Sequence, residues 1–450
     1  VGELESANAV WLRFLPAFLR TRLDKRGGVQ AMLSNTGWLF ADKVVRIGIG
    51  VVLGVWLART LGPARFGIWS YATAFTYLFS AFATLGLDSI VIRELVRHPT
   101  RHRQILGSAC ALRIVAGTLT CVIASIAITF VKRGDSLTLW LVAITAAGFI
   151  FQSFSVIDLY FQSRVESRFT VYAANAAFLL TALIKIWVLS TGAGLVAFAW
   201  ASLGEVAFTA LFLVIAYRAQ QQRLKQWTFD APTARSLLRD SWPLVFSGIA
   251  VGIFMKIDQV MIEALLDSRA VGIYSVAVRV SELWYFIGSV VISSVAPAIY
   301  RARSEGREVF LAKLQRVFSV MLWLAILISL SLSFLSTTIV RTLFGAAYVD
   351  AGPVLLIHTW STLFVFIGLA QGIFWIAEDL QAFSLLITVA AAALNIALNL
   401  VLIPKLGVSG AAVATLLSYG VPTILMPAVL KQSRPMFLMF FRSFVLLPRL

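Results

Sequence analysis

Five cations of this chain, Lys43, Arg46, Lys185, Lys256 and Arg279, lie inside long apolar stretches, and most have a carboxylate at helical spacing. Asn35, Trp38, Asp42 and Arg46 are spaced three, four and four apart, so they share one helix face. Asp42 and Arg46 can pair there, and the stripe runs on through Gly50 and Gly54. Lys43 is turned by about 100° from Asp42. A second set recurs further on. Lys256, Gln259 and Glu263 fall on one face, with Asp258 pointing elsewhere. Ser275, Arg279, Glu282, Ser289 and Ser293 form another stripe, and Glu205 sits mid-way along its own apolar run. Charges in such places cost ~3 kcal/mol or more at a bilayer centre, so they must face partners or water. Two readings stay open: buried ion pairs that lock helices together, or a wet cavity whose cations take an anion and whose carboxylates take up an ion.

Covalent chemistry has no comparable footing. His98 and His102 stand four apart but flank Pro99 in a basic loop. Cys110 and Cys121 share one span about 16 Å apart, too far for a disulfide. GIGVVLG (48–54) lacks the spacing and the preceding strand of a nucleotide fingerprint. No catalytic residue, metal or cofactor is expected.

The elements that carry these residues follow from composition. The chain has 450 residues, of which 60% are hydrophobic and 13% charged, with mean hydropathy +0.88. Apolar runs of about 20 residues recur throughout, which predicts an all-α polytopic membrane protein. Twelve spans are expected: 36–58, 66–88, 113–131, 137–160, 170–190, 194–217, 241–264, 272–300, 317–340, 353–377, 382–403 and 410–430. Segments on the N-terminal side of the membrane hold 26 Lys+Arg and those on the other side seven. That bias predicts both termini in the cytoplasm and accounts for the net charge of +17 without nucleic acid. Lys185, near an outer end, is expected to snorkel. Asp88, Asp158, Glu378 and Asp379, near inner ends, are expected at solvated termini. The run AVWLRFLPAFL (9–19) is too short to span, and cations follow it, so it reads as an interfacial helix rather than a secretory leader.

LGPARFGIWSYA (61–72) and LDSRAVGIYSVA (266–277) match at an offset of 205 residues, with Leu61, Gly67, Ile68, Ser70 and Ala72 identical. GAGLVAFA (192–199) and VSGAAVAT (408–415) are a weaker echo. Two parallel six-helix lobes around a central cavity are therefore expected. The boundaries are a cytoplasmic segment 1–35, an N-lobe 36–217, a basic linker 218–240, a C-lobe 241–430 and a cytoplasmic tail 431–450.

NTGWLFADKVVR (35–46), LGPARFGIWSYATAF (61–75) and ATLGLDSIVIREL (83–95) resemble the N-terminal region of Wzx-type polysaccharide flippases, members of the multidrug/oligosaccharidyl-lipid/polysaccharide exporter superfamily. The resemblance is continuous over about 35–97. It implies a bacterial inner-membrane flippase for undecaprenyl-pyrophosphate-linked oligosaccharide in surface polysaccharide (O-antigen) biosynthesis, working by alternating access. A cationic cavity is implied too, which by position suggests Arg46 and Lys43. Lys256 and Arg279 are added from helix geometry, with Asp42, Glu205, Asp258, Glu263 and Glu282 in supporting or ion-coupling roles. The expected partners are the lipid-linked substrate, membrane lipids, and polysaccharide polymerase and glycosyltransferases. The lipid II flippase branch, with two more C-terminal helices, fits less well.

A cation-coupled drug exporter of the same superfamily is the alternative, since it would use such carboxylates. A membrane glycan polymerase is a weaker one, because the longest outer loop, about 341–352, is short. The orientation is directly testable. In a cysteine-free background, Cys at Ser136 or Asp350 should react with an impermeant thiol reagent on whole cells, and Cys at Ser304 or Gln221 should not. The reverse pattern would overturn the topology.

Overall fold

A Gly-Pro pair sets the first turn of the backbone. The computed structural model describes residues 27–429 and 431–445, with side chains from Arg46 onward. The 9–19 run lies outside them. Helix α1 (Gly27–Leu78) is broken at Gly62, whose φ of 70° and ψ of 172° only glycine adopts without strain, and Pro63 then opens a new helix. Among the described residues eleven helical segments are long and apolar enough to cross a membrane. One of these, Arg46–Leu78, is two helices joined at a kink at Gly62, so the expected spans 36–58 and 66–88 are separate. The other ten match the remaining expected spans.

Two compact units are distinguished, Val1–Gly54 and Val55–Leu450. The first is helical from Gly27. In the second, the rest of α1 continues into α2 (Ser80–Thr84) and α3 (Leu87–Arg97). Then come α4 (His102–Val131), α5 (Ser136–Gln152), α6 (Val156–Ser163), α7 (Arg168–Ser190) and α8 (Gly194–Ala219). Helix α9 (Ala231–Leu265) leads to α10 (Ser268–Glu282), α11 (Tyr285–Glu305), α12 (Arg307–Phe344), α13 (Ala351–His358), α14 (Ser361–Ala377), α15 (Gln381–Leu406), α16 (Val408–Val429) and α17 (Arg434–Val445).

The repeat recurs in the backbone. Phe79 interrupts the span that follows Gly62, and Leu283–Trp284 interrupts its counterpart, with Phe79 and Trp284 again 205 residues apart. Residues 153–155 tighten to a 3₁₀ turn, and 359–360 break the equivalent span. Helices α4, α5, α7 and α8 pack together, as do α12, α13, α14, α15 and α16. Helix α9 belongs to both groups: it packs on α15, and also on α2, α3 and α4.

Half of the expected linker is the first turns of α9. Asp230 caps them, accepting from Thr233 N at 2.9 Å, while its own N–H donates to Ser108 Oγ at 3.0 Å. Hydrogen bonds from the Thr233 side chain and then its backbone hold the Asp230 carboxyl below the usual carboxylate range. The expected tail contains α17, which buries Met436, Met439 and Phe440 and packs on α12 and α16. Large apolar side chains such as Phe130, Trp140, Trp187 and Phe334 are exposed, as a chain solvated by lipid requires. Both cysteines are free thiols.

The two repeat-related glycines meet. A Cβ on Gly67 would stand 1.6 Å from the Ser268 carbonyl oxygen, and one on Gly272 would stand 2.0 Å from that of Pro63. The backbones of α1 and α10 are thus in contact, which no side chain at either position would allow. This crossing lies at the end that the Lys+Arg bias assigns to the outside. Around it Tyr348 Oη donates to Ala58 O at 2.8 Å, and Arg59 Nη2 donates to Thr342 O at 2.7 Å.

Asp88 is not an isolated solvated terminus. It pairs at 2.6 Å with Arg113, whose side chain is 2% exposed against 61% for Asp88. The asymmetry gives a prediction. Asp88→Ala strands a buried guanidinium and should cost about 3 kcal/mol, whereas Arg113→Met leaves only a solvated carboxylate and should cost about 1 kcal/mol or less. Thermal unfolding of the purified variants in detergent reads the order, and an equal loss would refute it.

Candidate functional site

Helix α10 holds the decisive residue. From Ala270 to Ser281 every residue is buried except Arg279, which is exposed although it lies deep in the bundle. What exposes it is a cavity of about 390 Å³. Its walls are Ser70, Thr73, Ala74 and Tyr77 of α1, Lys256 and Gln259 of α9, and Ser275, Val278, Arg279, Glu282 and Leu283. Helical periodicity explains the selection: Ser70, Thr73, Ala74 and Tyr77 form one stripe, and Ser275, Val278, Arg279 and Glu282 another. Ser70 and Ser275 are repeat partners, each one turn past its glycine at the crossing.

Two larger surface cavities are no match for this chemistry. One is an exposed patch at Arg235 and Arg239, and the other is almost wholly apolar, between α14 and α16.

Lys256, Arg279 and Glu282 are thus brought together. Among the described residues none of the three has an oppositely charged partner within 4.0 Å. The guanidinium of Arg279 instead lies over the Phe66 ring, 5.5 Å from its centroid. Phe66 is itself fully buried, edge-on to Tyr348 at 6.3 Å. Two cations and one carboxylate, with hydroxyls and an amide around them, make a pocket that can hold a polyanion by charge and a polar group by hydrogen bonds.

The other intramembrane charges have separate places. Asp258 is buried in the C-terminal half, accepting from Asn399 Nδ2 at 2.5 Å, Thr415 Oγ1 at 2.7 Å and Tyr274 Oη at 2.7 Å. Glu263, one turn beyond Gln259, pairs with Lys132 and accepts from Ser268 Oγ at 2.8 Å. Glu205 pairs with Lys185 at 2.6 Å. Lys185 therefore reaches across to a carboxylate on α8, a partner that the expectation of snorkelling left out. Glu378 receives Arg303 at 3.2 Å. Arg46 is half-buried in the first unit, and the side chains of Asp42 and Lys43 lie outside the described residues. Ser289 and Ser293 bond to carbonyls of their own helix, since the break at Leu283–Trp284 ends the stripe that holds Arg279.

With this geometry in hand, the relatives can be set beside it. The model of the family described as "Polysaccharide biosynthesis protein" matches residues 32–302. The chain belongs to that family. It is 28% identical over 196 residues to the "Probable low-salt glycan biosynthesis flippase Agl15" of Haloferax volcanii. That match covers 43% of this chain and 41% of the relative, less than half of either. Among solved structures, the lipid II flippase MurJ in an inward closed conformation superposes with TM-score 0.69 at 16% identity, covering 90% of each chain. An inward-facing multidrug resistance transporter of the MATE family gives 0.66 at 16%, covering 89% of this chain and 95% of that one. A transporter of the same MOP superfamily from Pyrococcus furiosus gives 0.62 at 16%, covering 90% and 93%. These likenesses show the fold: a family member with a MurJ- and MATE-like arrangement of membrane helices.

The sequence stripes included Gln259, Ser275, Lys256, Arg279 and Glu282, all now on the cavity. They omitted Ser70, Thr73 and Tyr77, which carry no charge. The 205-residue offset from Ser275 to Ser70 is the sign that leads to that wall.

The Asp258 network is a structural prediction of its own. Asp258→Ala removes the acceptor that three buried donors share, leaving them only the Asn395, Ala411 and Thr415 oxygens, and should cost about 2 kcal/mol or more, while Asp258→Asn keeps one oxygen and should cost less. Thermal unfolding should rank Ala below Asn, and a parent-like melting temperature for Ala would refute the role.

Proposed function

We propose that this family member is a flippase that moves an oligosaccharide linked to undecaprenyl pyrophosphate across the bacterial inner membrane by alternating access. The reading rests on Arg279, the one exposed residue in a buried stretch, opening with Lys256 onto a polar cavity and having no ion-pair partner among the described residues. A diphosphate needs such cations, and arginine offers a planar fork for it. Ser70, Thr73, Tyr77, Gln259 and Ser275 offer hydrogen bonds to sugar hydroxyls, and the prenyl tail remains in lipid. No bond is made or broken, so the protein is not an enzyme. Lys43 and Arg46 enter this reading from the sequence alone. The two lobes at 36–217 and 241–430, the cytoplasmic termini and the 218–240 linker belong to the same proposal. So do upstream glycosyltransferases and a downstream polymerase as partners.

Glu282 in the cavity favours a second reading, a cation-coupled small-molecule exporter, and one experiment separates the two. Loss of the protein should lower surface polysaccharide while the lipid-linked unit is still made in membranes. Altered drug susceptibility with normal surface glycan would favour the exporter. Arg279→Lys keeps charge and should retain partial export, and Arg279→Gln should lose about tenfold or more. Parent-level glycan in both variants, at matched protein amounts, would remove Arg279 as a substrate contact.

A further inference from the structure

The cavity and the glycine crossing share a pair of helices. Arg279 and Gly272 stand two turns apart on α10, and Phe66 and Gly67 are neighbours on α1. The guanidinium over the Phe66 ring is therefore a side-chain tie across the same pair of helices whose backbones touch at Gly67 and Gly272. Phe66 also leans edge-on against Tyr348, whose hydroxyl holds the Ala58 carbonyl, so its ring connects the cavity cation to the contacts around the crossing.

We propose that Phe66 is a positioning residue: its ring holds the Arg279 guanidinium in the empty cavity, and the transfer of that guanidinium to an anion loosens the α1–α10 crossing. This rests on the reading of Arg279 as a contact for a polyprenyl diphosphate. A guanidinium on a ring face is worth about three- to thirtyfold in an equilibrium. Charge-assisted hydrogen bonds to a phosphate are stronger, so an anion in the cavity competes for the guanidinium. The tie is then strongest when the cavity is empty and weakest when it is filled. Occupancy thereby biases the crossing, which is the differential contact that any ligand-driven change of state requires. Backbone contact at the glycines leaves no side chain there to adapt, so the side-chain tie beside them is where such a bias can act.

The test uses the full chain in lipid nanodiscs, with Cys110 and Cys121 replaced by alanine. Spin labels are placed on Ala64→Cys of α1 and Arg269→Cys of α10, two exposed positions beside the residues that touch at the crossing. Binding of undecaprenyl diphosphate and the distance between the labels are measured on the same samples. The parent should bind, and the labels should move apart with ligand. Phe66→Leu and Phe66→Met keep an apolar side chain but remove the ring face. They should bind at least as tightly as the parent and up to about thirtyfold more tightly, because the competing ring face is gone, yet give a label distance that no longer depends on ligand. Phe66→Tyr retains the face and should restore the dependence. Failure of the parent to bind overturns the Arg279 reading. Binding by the parent without label movement, or movement in Phe66→Leu and Phe66→Met as large as in the parent, overturns the role of Phe66 and leaves Arg279 standing. Comparable melting temperatures for all variants keep misfolding out of the comparison.

Discussion

Two backbones touching at Gly67 and Gly272 set the distances on which the cavity depends. A Cβ at either position would fall well inside the van der Waals radius of a carbonyl oxygen on the other helix, so the closeness of α1 and α10 is written into those two residues. They are equivalents in the internal repeat, so each half of the chain supplies one side of the crossing. From there each helix runs on, and one turn further the buried Ser70 and Ser275 are the first residues of the cavity lining. The crossing thus stands beside the cavity, and the two helices that meet there supply two of its walls. The breaks at Phe79 and at Leu283–Trp284 follow at equivalent positions of the repeat.

Charge inside the membrane divides along the same line. Most intramembrane ions are held by close partners: Lys185 by Glu205, Arg113 by Asp88 and Lys132 by Glu263, with Asp258 taking three neutral donors. These lower the cost of burial and lock neighbouring helices in register. Lys256, Arg279 and Glu282 are different, being set around a polar cavity with no ion pair within 4.0 Å among the described residues. Of the two readings left open by the sequence, helix-locking pairs describe the first group, and the proposed function assigns the cavity to the second.

The fold was legible because spans, breaks and repeat are local or periodic. Apolar runs gave twelve spans, and Gly62-Pro63 announces the turn between the first two. Pairing was less legible because it joins residues far apart in the chain. Lys132 and Glu263 stand 131 positions apart, and no spacing rule connects them. Depth along a helix suggested that Lys185 would snorkel, but depth says nothing about Glu205 on the next helix. The neutral wall of the cavity was hidden for another reason. Ser70, Thr73 and Tyr77 cost little in a membrane helix, so they stand out from an apolar run only when set against their repeat partners. The aromatic under Arg279 was hidden too, since Phe66 is an ordinary buried residue by type and only geometry places its ring beneath a cation.

A guanidinium with no ion-pair partner among the described residues is least costly beside a polar lining. Ser70, Thr73, Tyr77, Gln259 and Ser275 make the cavity one that would hold water, where an all-apolar wall would leave it dry. Such a site has a consequence for a carrier. On the proposed function, water hydrogen-bonded to hydroxyls and an amide would be replaced by sugar hydroxyls making similar bonds, so the glycan portion would fill and leave the space with small net change. Discrimination would then fall to the anion, which alone would gain charge-assisted bonds from Lys256 and Arg279. Glu282 tempers that gain by adding one negative charge to the cavity. On that reading, one lysine and one arginine tempered by a carboxylate would hold the anion firmly enough to recognise it and loosely enough to release it.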